Sequence, residues 1–273
     1  MPASPRRRAF GQHFLKDQSV IWTITQKTFE LVHEAKAPSL LEIGPGKGAI
    51  TEPLLEEVMD RSDIKKFLIV EMDRKLAAQW QDSTKDLKCA EVLSKDFLDV
   101  PDSVFETGTP WIVVSNLPYS SGTAIFQKLA RLRNSIRGMV LMFQAEVAGR
   151  LRAEPNTKPW GTLSLWTQNW WDVEKLKSVP PGAFAPPPDV NSEVVVLTPR
   201  KTPRLHFPES FENEFEKMIK LAFLHRRKML RSGLPKNSAW LDALAKSGVE
   251  PTKRAEALSW NEWQKWIDAY RAL

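Results

Sequence analysis

Residues 116–119, Asn-Leu-Pro-Tyr, place hydrogen-bond acceptors next to an aromatic ring at the end of an apolar run. The amino nitrogen of a nucleobase is a poor nucleophile, because its lone pair is delocalised into the ring. The side-chain oxygen of Asn116 and the carbonyl of Leu117 could draw its N–H bonds toward tetrahedral geometry and free that lone pair. Pro118 restricts the conformation of Leu117, and Tyr119 offers a face for stacking. The tetrapeptide predicts a site for methyl transfer to a base amino group, although Asn and Pro also form ordinary turns after strands.

A second aromatic side chain, Phe184, could cover the other face of the same base. It lies within residues 180–192, Pro-Pro-Gly-Ala-Phe-Ala-Pro-Pro-Pro-Asp-Val-Asn-Ser. The prolines stiffen this segment, and a stiff loop can hold a ring at the edge of a pocket. The same ring could instead fill the hydrophobic core beneath the loop, so both placements stay open at this point.

A glycine-rich turn, residues 44–48 (Gly-Pro-Gly-Lys-Gly), follows a short apolar segment. Gly44 and Gly46, together with Ala49, satisfy the spacing of the dinucleotide-binding fingerprint, and Glu71 follows about where an acid that binds a ribose is expected. Such a turn lets the backbone approach a ligand closely. The spacing suits a nicotinamide dinucleotide and S-adenosylmethionine (SAM) equally, so it does not separate these two cofactors.

Two acidic residues at the ends of predicted strands could contact the adenosine part of such a cofactor. The carboxylate of Glu71 can accept hydrogen bonds from a ribose diol, and that of Asp96 can accept one from an adenine amino group. Each also has a simpler interpretation, because Glu71 could be a surface acid at a strand end and Asp96 could cap a helix or turn. Both are retained as predicted cofactor-binding residues.

The candidate site residues follow apolar segments that alternate with amphipathic ones. Strands are predicted at residues 39–43, 66–73, 90–96, 111–116 and 138–144. Helices are predicted after Thr51, which is expected to act as an N-cap, and at residues 74–80 and 123–133. This alternation indicates an α/β fold with a mostly parallel, doubly wound sheet. Two later strands, at residues 163–176 and 192–199, are expected to extend that sheet antiparallel at its edge.

The last part of the chain predicts a small, basic, helical domain, with a boundary that separates residues 1–200 from residues 201–273. From residue 200 onward there are 15 Lys and Arg against 9 Asp and Glu, a surplus equal to the net charge of +6 of the whole chain. Such a stripe suits a polyanion, because neutralised phosphates release counterions, although a charge run is often only a solvated face. The predicted RNA contacts are Arg226, Arg227, Lys228 and Arg231. Three tryptophans, Trp260, Trp263 and Trp266, share one helical face and are interpreted as core residues.

Composition excludes several classes of protein. No apolar run approaches the roughly 20 residues that span a bilayer, and no apolar segment of a secretory signal follows the three arginines near the N-terminus. Cys89 is the single cysteine and the four histidines are scattered. Disulfides and a metal site are therefore not expected, and a cytoplasmic protein is predicted.

The order of motifs along nearly the whole chain resembles the family of ribosomal RNA adenine dimethyltransferases that act on the small-subunit RNA. The motifs that carry the resemblance are FGQHFLKD (10–17), LEIGPGKGAIT (41–51), VEMDRKLA (70–77), KDFLD (95–99), NLPY (116–119), QAEVAGRL (144–151), FAPPPDVNS (184–192) and FLHRRKMLRSGL (223–234). The residues after Tyr119, Ser-Ser-Gly-Thr-Ala, depart from the usual pattern of the family and suggest a more flexible loop.

The resemblance implies a Rossmann-like SAM-dependent methyltransferase domain and a small helical C-terminal domain. It also implies N6,N6-dimethylation of two adjacent adenosines in the 3′-terminal hairpin of small-subunit (16S) rRNA, with SAM converted to S-adenosylhomocysteine and no metal. The implied cofactor contacts are His13, Leu15, Gly44, Gly46, Glu71, Asp96 and Asn116, with residues 11–15 folded over the methionine end. The implied partner is the rRNA of an assembling 30S-type subunit, with no membrane and a monomeric enzyme.

Three competing functions remain at the level of sequence. A resistance-type methylase of large-subunit rRNA shares the catalytic layout, and the match through residues 223–234 favours the small-subunit type. An RNA-binding assembly factor whose methylation is dispensable would use the same basic surface. A nicotinamide dehydrogenase would explain the glycine turn, but it leaves Asn116, Pro118 and Tyr119 without a role.

Overall fold

The computed structural model of the chain describes residues 13–106 and 108–273. Its strands are β1 (Phe14–Leu15), β2 (Ser39–Ile43), β3 (Lys66–Glu71), β4 (Ala90–Ser94), β5 (Trp111–Asn116), β6 (Ile136–Gln144), β7 (Trp171–Val179), β8 (Phe184–Ala185) and β9 (Ser192–Pro199). Its helices are α1 (Gln18–Ala35), α2 (Thr51–Met59), α3 (Arg74–Ser83), α4 (Gly122–Arg131), α5 (Ala145–Leu151), α6 (Thr162–Trp170), α7 (Glu212–Leu224), α8 (Leu230–Gly233), α9 (Ala239–Lys246) and α10 (Trp260–Arg271).

The central sheet has seven strands in the order β4-β3-β2-β5-β6-β9-β7. Strands β2 to β6 pair in parallel, and β9 runs antiparallel to β6. The predicted α/β fold with a doubly wound sheet is confirmed. The strand order reverses between β2 and β5, and in open sheets of this kind ligands bind outside the carboxyl ends of the strands at that point.

Burial on both faces explains why the inner strands read as continuous apolar runs. All five residues of β2 are buried, and so are residues 111–115 of β5. Helix α1 covers β5 and β6, and it lies close to the sheet because Gly138 has no side chain there. A Cβ at Gly138 would be only 3.0 Å from Leu31 Cδ1 and 3.1 Å from Ile112 Cδ1. The rigid sheet fixes the position of every loop at its carboxyl edge.

Two local predictions are wrong. Residues 163–176 do not form one strand: the segment is helical through α6 and becomes extended only at Trp171. Residues 163–167 are all buried, so the segment lacks the polar face that reveals an amphipathic helix, and its Trp and Thr residues favour strands. Thr51 is the first residue of α2 and not its cap, because Ile50 occupies the cap position without a side-chain hydrogen bond.

The chain divides into two compact units. The first runs to Ala148 and resumes at Val173–Pro199, and the second comprises Gly149–Asp172 and Arg200–Leu273. The boundary near residue 200 expected from sequence coincides with one of the points at which the chain passes from one unit to the other. The structure adds the segment 149–172 to the unit that contains the C-terminal helices.

The second unit is built around aromatic side chains. Trp263 and Trp266 are fully buried, with ring centroids 5.4 Å apart, and Trp266 Nε1 donates to the carbonyl of Trp240 (3.0 Å). Trp260 is half-buried and packs edge-on against Trp160, with 5.7 Å between ring centroids. Trp263 and Trp266 are core residues, as their spacing predicts, whereas Trp260 lies at the margin of that core.

Candidate active site

A cavity of about 1870 Å³ opens at the carboxyl ends of the parallel strands. Every predicted cofactor-binding and catalytic residue lines it: His13, Leu15, Gly44, Gly46, Glu71, Asp96, Asn116, Leu117, Pro118, Tyr119 and Phe184. These residues come from six separate segments of the chain. The parallel topology brings the segments together, because successive strands end at the same edge of the sheet.

The glycine turn takes a backbone conformation that side chains disfavour. Gly46 and Gly48 have positive φ angles of 55° and 94°. A Cβ at Gly48 would lie 2.4 Å from Trp80 Cη2, so only glycine fits beneath that ring. The indole Nε1 of Trp80 donates to the carbonyl of Gly46 (3.1 Å). The turn is therefore held by α3 with its backbone open toward the cavity.

The carboxylate of Glu71 is oriented by hydrogen bonds from two backbone amides. Its Oε2 accepts from the amide of Gly46 (3.1 Å), and its Oε1 accepts from the amide of Asp73 (2.8 Å). The residue is 6% exposed, so it is not a surface acid. A carboxylate fixed in this way retains lone pairs that can accept hydrogen bonds from a ribose diol.

Asp96 caps a turn and also lines the cavity. Its Oδ1 accepts from the amide of Leu98 (2.9 Å), which caps the short turn after β4. The half-buried side chain also lines the cavity. The cap fixes the carboxylate at the sheet edge, where its remaining oxygen can accept a hydrogen bond from a base amino group.

Glu42 is a site residue that the motif analysis does not identify. It is 2% exposed, lines the cavity, and its Oε2 has no hydrogen-bond partner among the described residues. The pKa of Glu42 is raised to about 8. Burial is the largest cause, the Thr51 hydroxyl opposes the rise, and the negative charge of Glu71 adds to it. The signal was an acid inside the otherwise apolar strand Ser-Leu-Leu-Glu-Ile, directly before the glycine turn.

The Asn-Leu-Pro-Tyr segment leaves β5 in a constrained turn. Leu117 is buried, and its amide donates to the carbonyl of Met142 (3.3 Å). The carbonyl of Pro118 accepts from the amides of Ser121 (3.2 Å) and Gly122 (2.7 Å). A Cβ at Gly122 would be 3.2 Å from Leu117 Cβ. The unusual residues after Tyr119 thus start α4 with two hydrogen bonds and close packing, rather than in an open loop.

Tyr119 is held from two directions. Its hydroxyl hydrogen-bonds to Ser192 Oγ (2.6 Å), and its ring centroid is 5.8 Å from that of His13. His13 Nδ1 in turn donates to the carbonyl of Pro186 (2.8 Å). Of the segment expected to cover the methionine end of a cofactor, residues 11 and 12 lie outside the described residues.

Phe184 is a core residue that also borders the cavity, and its stacking on a base stays a prediction. It is 2% exposed and belongs to the main hydrophobic core, yet it also lines the cavity. Strand β8 pairs antiparallel with β1, so that Phe184 lies opposite Leu15. The amide of Lys16 donates to the carbonyl of Ala183 (2.8 Å) and extends this pairing. The N-terminal segment therefore fixes the ring that borders the cavity.

The basic residues near α7 and α8 differ in their surroundings. Arg226 is half-buried, and its Nε donates to Glu256 Oε2 (2.6 Å) while an Nη donates to the carbonyl of Thr157 (3.2 Å). Arg227, Lys228 and Arg231 are exposed. Two further lysines of the basic run form ion pairs within α7, where Lys217 pairs with Glu214 and Lys220 pairs with Glu216. These pairs depend on helical spacing.

The described residues, 13–106 and 108–273, contain no group of three or more His, Cys, Asp and Glu side chains that could hold a metal ion. In the same ranges, no helix has both the length and the apolar character needed to cross a membrane.

Comparison with known sequences places these features in a family context. Residues 3–271 match the family described as "Ribosomal RNA adenine dimethylase". The chain is 36% identical over 265 residues to "Ribosomal RNA small subunit methyltransferase A" of Syntrophotalea carbinolica, covering 96% of this chain and 95% of that protein. It is 34% identical over 278 residues to the protein of the same name from Streptococcus thermophilus, covering 97% and 92% of the two chains.

Solved structures show the same fold at lower sequence identity. A dimethyladenosine transferase from Plasmodium falciparum is similar with a TM-score of 0.73 and 22% identity, over 95% of this chain and 98% of that one. The 23S rRNA methyltransferase ErmE is similar with a TM-score of 0.66 and 24% identity, over 94% and 99%. The likeness extends over both compact units, and at these identities it bears on the fold alone.

Proposed function

Because the chain belongs to the ribosomal RNA adenine dimethylase family, we propose that it transfers methyl groups from SAM to the N6 atoms of two adjacent adenosines in the 3′-terminal hairpin of small-subunit rRNA. The observation that carries this proposal is that one cavity is lined both by residues suited to an adenosine-bearing cofactor and by residues suited to a nucleobase. The glycine turn, Glu71 and Asp96 suit the cofactor, and Asn116, Tyr119 and Phe184 suit the base.

The side chains present fit an adenosine-bearing cofactor. Glu71 is buried with both oxygens oriented by backbone amides, which suits a ribose diol, and the positive-φ glycines leave room for close backbone approach. The residues that would hold SAM are His13, Leu15, Gly44, Gly46, Glu71, Asp96 and Asn116. When bound, SAM supplies an electrophilic methyl group on a sulfonium.

The chain's own contribution is to make the amino nitrogen of the base a better nucleophile. The Asn116 side-chain oxygen and the Leu117 carbonyl accept hydrogen bonds from the two N–H groups, which favours a tetrahedral nitrogen with an available lone pair. Tyr119 and Phe184 stack on the two faces of the base after it leaves its own stack. Positioning and electrostatics carry the transfer: the N–CH3 bond forms as the S–CH3 bond of the sulfonium breaks, and the cationic product nitrogen, which is strongly acidic, then loses its proton to water.

The RNA partner is bound through the C-terminal helices. We assign phosphate contacts to Arg227, Lys228 and Arg231, with Arg226 positioned beside them by Glu256. Within the predicted division at residue 200, residues 201–273 would supply the RNA contacts, and the catalytic residues would come from the first compact unit, which ends at Ala148 and resumes at Val173–Pro199. The partner is the rRNA of an assembling 30S-type subunit, contacted in the cytoplasm by a monomer that uses SAM and no metal ion.

Unmodified small ribosomal subunits, incubated with labelled SAM, test this function. The expected product is dimethyladenosine at two neighbouring positions near the RNA 3′ end, mapped by mass spectrometry. Asn116→Ala is expected to lose about 100-fold or more in rate, the loss typical of removing a transition-state hydrogen-bond partner. Its SAM binding and thermal unfolding are measured alongside.

Two other functions have distinct outcomes in the same experiment. The fold shared with ErmE is compatible with large-subunit RNA as acceptor, and label found only in that RNA would establish it. Binding to small subunits without any label, despite SAM binding, would indicate an assembly factor. Transfer to adjacent small-subunit adenosines excludes the large-subunit function and a factor that binds without methylating. A dispensable methylation would instead show as an Asn116→Ala protein that still restores ribosome assembly.

A further inference from the structure

Glu42 is a buried acidic residue at the cavity for which the proposed reaction gives no role. It is the second-last residue of the fully buried strand β2, which runs into the glycine turn, and it is 2% exposed. Its Oε2 is buried without a hydrogen-bond partner among the described residues, yet the side chain lines the large cavity. A buried carboxyl oxygen without a hydrogen-bond partner destabilises the folded protein unless a bound ligand supplies that partner.

The groups that surround Glu42 do not neutralise a carboxylate. Its strand neighbours in the sheet are Ile69 and Val114, which are apolar. On β3, the charge of Glu71 repels a second negative charge. On α2, the Thr51 hydroxyl lowers the pKa of Glu42 and so opposes the rise. On α1, Thr25 lines the same cavity, and its buried hydroxyl has no partner among the described residues.

The nearest basic residue along the chain is occupied elsewhere. Lys47 lies on the glycine turn and also lines the cavity, but its ammonium sits over the Phe14 ring, 4.4 Å from the centroid. Lys16, Arg74, Lys75 and Lys95 also line the cavity, but no basic side chain is among the groups that shift the pKa of Glu42. We therefore expect the positive charge that pairs with an ionised Glu42 to come from a ligand. In keeping with this, burial and Glu71 raise the pKa of Glu42 to about 8, so the free protein holds it neutral at pH 7.

We propose that Glu42 is a charge-compensating residue for the methyl donor, neutral in the free protein and ionised, with release of one proton, when the donor's cationic group occupies the cavity. The proposal rests on SAM being the cofactor. SAM has two candidate cations, the sulfonium and the α-ammonium, and either is an organic cation that a carboxylate would recognise. Coupling binding to ionisation in this way favours a cationic donor over a neutral analogue.

Calorimetric titration at pH 6.5 tests the proposal on the wild-type protein. At that pH the donor's α-amino group is already protonated, so a released proton comes from the protein. Heats measured in buffers of different ionisation enthalpy are expected to show release of about one proton with SAM. The affinity is expected to rise by up to about tenfold per pH unit between pH 5.5 and 7, and to level off above about pH 8.

Three ligands and two variants locate the source of the effect. Release with SAM but not S-adenosylhomocysteine assigns the sulfonium, and release with both assigns the ammonium. Methylthioadenosine, which has neither cation, is expected to release none. Glu42→Gln should bind SAM without proton release, whereas Glu56→Gln, an exposed carboxyl on the same cavity, should behave as wild type.

Failure of this inference and failure of the proposed function give different results. SAM binding with no proton release in the wild type, or equal release with methylthioadenosine, would overturn the role of Glu42 while leaving the cofactor in place. No SAM binding at all would instead overturn the cofactor assignment. If Glu42→Gln does not fold, the wild-type titration with the three ligands still decides.

The ligand-free protein offers an independent check with the same variant. A carboxyl whose folded pKa is raised supports stability fully below its unfolded pKa, near 4.5, and loses that support as pH rises toward 8. The unfolding temperature of Glu42→Gln is therefore expected to gain on that of the wild type from pH 5 to pH 8. A difference independent of pH would show that Glu42 is already ionised without ligand.

Discussion

The side chain of Tyr119, for which we propose a stacking role, is held in place by two contacts outside the proposed reaction. Its hydroxyl is bonded to Ser192, and its ring lies beside His13. The ring remains half-buried at the cavity. Holding an aromatic ring in place before the substrate arrives reduces the entropy lost on binding.

Two substitutions separate the ring of Tyr119 from its hydroxyl. Tyr119→Ala removes the stacking face and is expected to lower kcat/KM for small-subunit RNA by about 10- to 100-fold, because base stacking contributes about 1–3 kcal/mol. Tyr119→Phe keeps the face and is expected to stay within about threefold of wild type. The measurement is kcat/KM with subunits as substrate.

Ser192→Ala is the matched control, since it removes the same hydrogen bond from the other side. It should resemble Tyr119→Phe in both rate and unfolding temperature. If Tyr119→Phe were as damaging as Tyr119→Ala, the hydroxyl would be the functional group, and the stacking role would be wrong.

At the scale of elements, the segment between α7 and α8 places neighbouring arginines in different environments. The Arg226 side chain turns inward to Glu256 and to the carbonyl of Thr157. Arg227 is exposed. Adjacent residues of the same type therefore differ in their surroundings, and only Arg227 of the two is fully available for the proposed phosphate contact.

Single alanine substitutions distinguish these two roles. Arg226→Ala is expected to lower the free energy of unfolding by about 1–2 kcal/mol, because a half-buried carboxylate loses its charged partner. Arg227→Ala should change stability by less than about 0.5 kcal/mol and weaken RNA binding, lowering the slope of log affinity against log salt by about 0.9. Denaturant unfolding and binding at several salt concentrations measure both.

Equal losses of stability in the two variants would contradict the structural role of Arg226. An unchanged salt slope in Arg227→Ala would remove that residue from the phosphate contacts. Glu256→Gln provides the complementary control for the first role, since it should reproduce the stability loss without removing a positive charge.

At the scale of the whole molecule, the chain builds its second unit from two separated segments. Residues 149–172 contribute Asn169, whose Oδ1 accepts from the amide of Leu205 (2.7 Å), and Asn156, whose amide donates to the carbonyl of Glu256 (2.7 Å). Trp160 of the same segment is fully buried against Trp260. The unit is complete only when both segments are present.

Truncation after Pro199 is therefore expected to produce a poorly folded protein. The shortened chain retains residues 149–172 without their packing partners, which exposes side chains such as Trp160 and Leu165 that are fully buried in the intact chain. Large exposed apolar patches promote aggregation. The expected result is strong binding of a hydrophobic dye and loss of the monomer peak in size-exclusion chromatography.

A second truncation serves as the control. Replacing residues 149–172 of the shortened chain with a Gly/Ser linker removes the orphaned segment, and the remaining first unit should be more soluble than the simple truncation. A monomeric, cooperatively unfolding protein from residues 1–199 alone would show that the segment does not depend on the C-terminal residues.

The sequence by itself determined the fold class and assigned a set of residues to one cavity. Apolar segments of strand length alternate with amphipathic helices, and this alternation forces parallel pairing. Since parallel strands end at one edge, residues such as Gly44, Glu71 and Asn116 could be assigned to one site from their positions after strands. Their chemistry follows from residue type and local order, which are properties of short segments.

Only the tertiary structure decided the features that depend on burial and on contacts between distant segments. A fully buried helix such as α6 lacks the periodic pattern that identifies a helix from sequence. The partner of Arg226 is 30 residues away, and the state of Glu42 depends on how completely the sheet and two helices exclude water around it. Charge, burial and long-range pairing arise from three-dimensional proximity, and spacing along the chain does not determine them.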